Sequence, residues 1–187
     1  MVATACREFA AAVRKSDGFR PVTSGHSLPR PAAEHLRNRR SWEPDSAEQF
    51  RKNLIDINPD PVNLISVHLY PFDKEKRFGR ENASYTDILR ECMRAASTAG
   101  KGLFVGEFGA EDDPKNSDPG MPRREVEAMI AAIETTGVPL AAIWNYDLPD
   151  QEQSINISPA YKRAYLLDLL KEANDRLRRS ESLPRQK

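Results

Sequence analysis

Apolar residues recur along this chain with two periods. Val2, Cys6, Phe9 and Val13 fall at i, i+4, i+7 and i+11, one face of an amphipathic helix that Asp17-Gly18 ends. Residues 19–24 (FRPVTS) then read as a short strand, and residues 28–44, rich in Pro and Arg, as a long loop. Ser46 stands at the cap position of a helix with Phe50, Leu54 and Ile57 on one face, stopped by Pro59-Asp60-Pro61. Residues 62–70 (VNLISVHLY) form a second strand, apolar along most of its length and rich in β-branched residues. A helix over 85–99 carries Ile88, Leu89, Cys92 and Ala96, with Gly100 as its stop. Residues 102–108 (GLFVGEF) are the third strand, followed by an acidic, Pro-rich loop over 109–121. Pro122 suits the first turn of a helix with Val126, Met129, Ile130 and Ile133 on one face, and Gly137 ends it. Residues 138–146 (VPLAAIWNY) are the fourth strand. Pro159 opens a last helix carrying Tyr165, Leu166, Leu169, Leu170, Ala173 and Leu177, and residues 180–187 read as a disordered tail.

The order is α-β-α-β-α-β-α-β-α. Strands that are apolar along nearly their whole length, alternating with amphipathic helices, indicate a parallel sheet covered by helices, here of four strands in sequential order. Two architectures fit, a segment of a barrel or an open doubly wound sheet. Both put chemistry at the C-terminal ends of the strands.

The 187 residues suffice for one domain but fall short of the about 250 of a complete (β/α)8 barrel. The 28 basic and 28 acidic residues balance and are interspersed, apart from a run at Arg37, Arg39 and Arg40, which reads as a solvated loop. That balance points away from nucleic acid and from a membrane surface as partners. No stretch is apolar enough for a membrane span, and the first residues carry charges where a signal peptide needs an apolar run. Cys6 and Cys92 lie far apart on helices and the three histidines share no short spacing, so no disulfide framework and no metal site is expected.

The four strand ends read Ser24-Gly25-His26, His68-Leu69-Tyr70-Pro71, Gly106-Glu107-Phe108-Gly109 and Trp144-Asn145-Tyr146-Asp147. No glycine-rich phosphate loop follows any strand, so no nucleotide cofactor is expected. A carboxylate, imidazoles, an indole, a phenol and an amide at one edge are what a sugar site uses. Aromatic faces stack on pyranose rings and polar groups read hydroxyls. Glycines 106 and 109 beside Glu107 would let substrate approach the backbone.

These strand ends resemble strands five to eight of the retaining clan-A glycoside hydrolases, closest to the cellulase-like family five. The match covers roughly residues 1–175 and rests on SVHLYP, FVGEFG and AAIWNYD in that order. The resemblance implies a partial TIM barrel over residues 1–179, the C-terminal half. It implies retaining hydrolysis of O-glycosidic bonds in a β-linked polysaccharide such as a mannan or glucan. Carried over residue by residue, it makes Glu107 the nucleophile, Tyr70 the residue that hydrogen-bonds it, and His68 a group that orients hydroxyls or tunes the acid/base. Trp144 becomes the floor beneath the cleaved sugar, with His26 and Asn145 as further substrate contacts. The family's acid/base, a Glu in an Asn-Glu pair ending strand four, has no counterpart. Trp42-Glu43-Pro44 does not follow directly from a strand and lacks the Asn, which leaves Asp147 and Glu111 as candidate substitutes. The N-terminal half of the barrel is then either a segment outside this chain or a second copy of it. The alternative is a non-catalytic sugar-binding half-barrel or a gene fragment.

Overall fold

The computed structural model describes residues 2–112, 118–152 and 154–182. Helices α1 (Val2–Ser16), α2 (Ala33–Arg39) and α3 (Ala47–Asp56) precede strand β1 (Leu64–Leu69), after which α4 (Tyr85–Thr98), β2 (Gly102–Phe108), α5 (Met121–Thr136), β3 (Leu140–Ile143) and α6 (Tyr165–Ser182) alternate. The strands form one parallel sheet in the order β1-β2-β3.

Helix starts follow local chemistry. Ser46 and Gln49 form a capping box on α3, and Ser84 and Asp87 form another on α4, each satisfying two N–H groups that the first turn leaves without partners. Gly137 closes α5 in the left-handed conformation, φ 69°, which glycine adopts without steric cost.

Strand alternation divides the sheet into two faces. Ile65, Val67 and Leu69 of β1, with Leu103 and Val105 of β2, are buried in one core with Ile88, Leu89 and Cys92 of α4 and Met129 and Ile133 of α5. Cys92 is thus the core residue its helical position predicts. Leu64, Ser66 and His68 alternate onto the opposite face, and on edge strand β3 Leu140 is 52% exposed. Helices α4 and α5 thus pack on the face that carries Ile65, Val67, Leu103 and Val105.

The predicted strand over 19–24 is a correction. Thr23 makes a single parallel bridge to Leu64, beside β1 and in the expected direction, but no strand forms. The donors are engaged elsewhere. Asp17 Oδ1 accepts from the N–H groups of Phe19 and Arg20, both at 2.9 Å, Pro21 has no N–H, and Asn63 Oδ1 takes that of Val22 at 2.8 Å. The loop expected over 28–44 contains α2. Its N-cap, Ala32, offers no side-chain acceptor. The carboxylate of Asp45 instead receives the N–H groups of Glu34 at 2.7 Å and His35 at 3.1 Å. The last helix begins at Tyr165, six residues after Pro159, because Arg163 anchors the preceding turns. Its buried guanidinium donates to the carbonyls of Asn156 and Glu152 and to Asp112. That helix runs through Ser182, so residues 180–182 of the expected tail are helical. Residues 183–187 lie outside the described residues.

Candidate active site

Register sets the site. Along β1 and β2 the partners run in step from Leu64↔Gly102 to Val67↔Val105, then jump to His68↔Glu107. Gly106 is the extra residue, a β-bulge that re-aims the side chain after it. Glu107 therefore sits opposite His68 instead of one residue out of step.

Three predicted residues meet here. The Tyr70 hydroxyl donates to Glu107 Oε2 at 2.7 Å, and His68 Nδ1 lies 3.2 Å from the same oxygen. Burial first, then the hydrogen bond to Glu107, pushes the Tyr70 phenol well above its ordinary value, so it stays a protonated donor. Both the His68 and Glu107 side chains are partly open to solvent.

His26 is close to this group. Burial, with the charge of His68 added to it, lowers the His26 imidazole below its ordinary value. Its Nε2 lies 3.3 Å from Cys6 Sγ on α1, so the Cys6 side chain meets a polar partner rather than a purely apolar one.

Trp144, 38% exposed, borders an open cleft of about 420 Å³ whose walls include Tyr70, Phe72, Glu111, Met121 and Gln151. The Trp144 N–H donates to the Phe108 carbonyl at 2.9 Å, which ties the end of β3 to that of β2. Asn145, joined to Trp144 by a cis peptide, is buried, and its amide nitrogen donates to Gln151. Its polar side chain thus holds the loop beyond β3. Of the two candidate substitute acids, Glu111 borders the cleft and its charge reaches Tyr70. Asp147 is exposed, with its backbone in the left-handed region at φ 54°. The rejected Glu43 contributes its backbone carbonyl to His35 Nδ1 at 2.7 Å, part of the packing of α2.

The role expected for the glycines is a second correction. A Cβ on Gly106 would stand 2.9 Å from Ser66 Oγ, and one on Gly109 would stand 2.8 Å from the Trp144 carbonyl. The protein itself fills the space beside both. These glycines permit strand ends to approach each other and hold no room for substrate.

Sequence reasoning missed the turn that carries Tyr70. Asp73, buried, accepts from the Tyr70 N–H at 2.8 Å. Arg77, also buried, lies 3.7 Å from Asp73 and donates to the Pro29 carbonyl at 2.8 Å. Burial raises the Asp73 carboxyl to about 6. An Asp three residues after a strand-ending Tyr is the available local signal, whereas the Arg77–Pro29 link has none. Among the described residues no group of three or more His, Cys, Asp or Glu is arranged to hold a metal ion, and no helix is long and apolar enough to cross a membrane.

No protein-family profile and no curated protein matches the sequence. Solved structures do match its fold. An endo-β-1,4-mannanase from Thermotoga petrophila aligns over 99% of this chain and 41% of its own, with a TM-score of 0.60 and 14% identity. A glycoside hydrolase family 5 mannosidase from Rhizomucor miehei aligns over 92% and 49%, with a TM-score of 0.56 and 13% identity. A hyperthermostable endo-1,4-β-D-mannanase from Thermotoga petrophila RKU-1, solved with maltose and glycerol, aligns over 92% and 51%, with a TM-score of 0.54 and 14% identity. The chain thus spans about half the length of these structures or less, and its three-stranded parallel sheet with its helices matches part of a TIM barrel. At such identity the likeness is one of fold.

Proposed function

We propose that this chain carries the nucleophile half of a retaining glycoside hydrolase site for a β-linked polysaccharide, with Glu107 as nucleophile. One observation carries the reading: Tyr70 donates to Glu107 Oε2 while His68 faces the same oxygen, beside an aromatic cleft. A donor on one carboxylate oxygen keeps the group ionised and fixes its plane. Oε1 is then the oxygen that attacks the anomeric carbon, forming a C–O bond as the bond to the leaving oxygen breaks. Trp144 stacks under the sugar, and His68 and His26 face its hydroxyls. Mannan is the substrate class that the matched mannanase folds suggest, and glucan follows from the resemblance to cellulase-like sequences.

A retaining site needs a second carboxyl about 5–5.5 Å from the first, to protonate the leaving oxygen and then activate water. The sequence holds no Asn-Glu pair, and the hydrogen-bond partners of Glu107 among the described residues include no carboxyl group. The family's acid/base thus has no sequence counterpart; Glu111 at the cleft and Asp147 are the candidate substitute carboxyls within the chain, and a segment outside it or a partner copy is the other source. Without an acid/base the chain forms the glycosyl ester without hydrolysing ordinary glycosides. General acid/base help is worth about 10²–10⁴-fold.

The test uses a substrate that needs no acid. A 2,4-dinitrophenyl 2-deoxy-2-fluoro-β-mannoside or β-cellobioside expels a stable phenolate with its electron pair, and the fluorine slows hydrolysis of the ester. Intact-mass spectrometry is expected to show one added fluoroglycosyl group, mapped to Glu107 and absent in Glu107→Gln. Unlabelled wild-type protein, or label on another residue, would refute the nucleophile assignment. Sugar binding without hydrolysis is the second reading. The aromatic cleft favours it, and saturable binding by a chain that takes no label would identify it.

A further inference from the structure

Phe72 occupies a position that the proposed chemistry does not use. Its side chain is 74% exposed, although a phenyl ring gains by leaving water. The ring is nevertheless fixed in place. Phe72 sits in a 3₁₀ turn, Pro71–Asp73, where Pro71 fixes φ. The turn is closed twice, by the Asp73 N–H donating to the Tyr70 carbonyl at 3.0 Å and the Tyr70 N–H donating to Asp73 Oδ2 at 2.8 Å. Asp73 and Arg77 beneath it are buried, and Arg77 reaches across to the Pro29 carbonyl. The Phe72 ring stacks on Tyr70, with centroids 5.5 Å apart and planes 13° from parallel. Tyr70 in turn bonds Glu107, so the position of Phe72 is fixed relative to the carboxylate.

Phe72 and Trp144 border the same cleft, whose polar groups include Glu111, Gln151 and Ser154. Exposed aromatic rings in one cleft with a carboxylate and an amide suit a ligand with apolar C–H faces and hydroxyl edges. Tyr70, which bonds Glu107, lines this cleft beside Phe72, so the cleft adjoins the carboxylate on the Phe72 side. We infer that Phe72 is a second stacking platform, for the sugar next to the one at Glu107. The cleft then takes a β-linked oligosaccharide of two rings or more in preference to a monosaccharide. This inference rests on the sugar-site reading above, and the experiment separates the two.

Trp144 reports binding by its fluorescence once Trp42, the other indole, is changed to Phe. In that background the probes are β-1,4-mannobiose against mannose and cellobiose against glucose. The expected disaccharide affinity is about tenfold above that of the monosaccharide, the gain of one added aromatic stack. Phe72→Ala brings the ratio to about one, and Phe72→Tyr, which keeps a ring, restores it. A wild-type ratio near one, or an unchanged ratio in Phe72→Ala, overturns the Phe72 assignment and leaves the sugar site standing. No binding of either sugar overturns both.

Discussion

At the scale of single residues, Tyr70 and Asp73 carry opposite electrostatic roles. Tyr70 places a hydroxyl on a partly exposed carboxylate. Hydrogen bonds to charged groups are worth about 1.5–3 kcal/mol, or about 10–100-fold in rate where the charge reacts. Tyr70→Phe keeps the ring and its stack on Phe72, so the melting temperature is expected to hold while fluoroglycoside labelling of Glu107 slows by that factor. Labelling at the wild-type rate would assign the hydroxyl a packing role. Asp73 is a carboxyl raised from 3.8 to about 6 by burial, with Arg77 and Glu75 beside it in its own loop and its charge felt by Tyr85 and Cys92 of α4. A folded value above the unfolded one means stability that is fully present below pH ~4 and lost as pH rises through ~6. Asp73→Asn keeps an acceptor for the Tyr70 N–H but does not titrate. The variant should match the wild type near pH ~4 and exceed it at pH ~7, by on the order of 2–3 kcal/mol for such a shift. Urea unfolding at both values measures this, and parallel pH profiles would exclude Asp73 as the titrating group.

At the scale of elements, the bulge in β2 decides where the site forms. Gly106 is the residue that lets Glu107 pair with His68, and its missing Cβ leaves room for Ser66 Oγ. Gly106→Ala should cost about 1–3 kcal/mol by overpacking. Ser66 Oγ is buried without a hydrogen-bond partner among the described residues, so Ser66→Ala should cost little by itself. The double variant should then recover much of the Gly106→Ala loss. Additive losses in a urea-unfolding cycle would place the clash elsewhere. The same scale shows how legible the elements were. α3, α4 and α5 announce themselves through Ser46, Ser84, Pro122 and Gly137, because a cap bonds within one turn of itself. α2 does not, because its cap is Asp45, on the far side of the helix in sequence.

For the whole molecule, the share of a barrel that the chain spans is the governing fact. The chain spans about half or less of the barrels it matches, and the β3 edge leaves Leu140 half exposed. At the other edge Thr23 holds one bridge to β1. Parallel edges with so few partners among the described residues favour pairing with another sheet. In the isolated chain a second copy, related by a twofold axis along the strands, satisfies both edges at once. Sedimentation velocity over a wide concentration range is expected to show concentration-dependent self-association. A single monomeric species that binds no hydrophobic dye would mean that the sheet edges need no partner.

What the sequence by itself determined is whatever a residue does with its near neighbours. The alternation of helix and strand, the limits of β2 at Gly102 and Phe108, two capping boxes, and the presence of His68, Tyr70, Glu107 and Trp144 at strand ends are all of this kind. Strand and helix periods put side chains on faces without reference to the rest of the fold. Tertiary structure decided which of these groups touch. It turned residues 19–24 into an Asx turn with one bridge, because Asn63 took the Val22 N–H. It gave glycines 106 and 109 to strand-end contact, bound the Asn145 amide to Gln151, set Cys6 against His26, and anchored the Tyr70 turn through Arg77 to Pro29. Partners such as Arg77 and Pro29, or Cys6 and His26, lie far apart in sequence, and no local period or propensity encodes a contact that chain folding alone brings about.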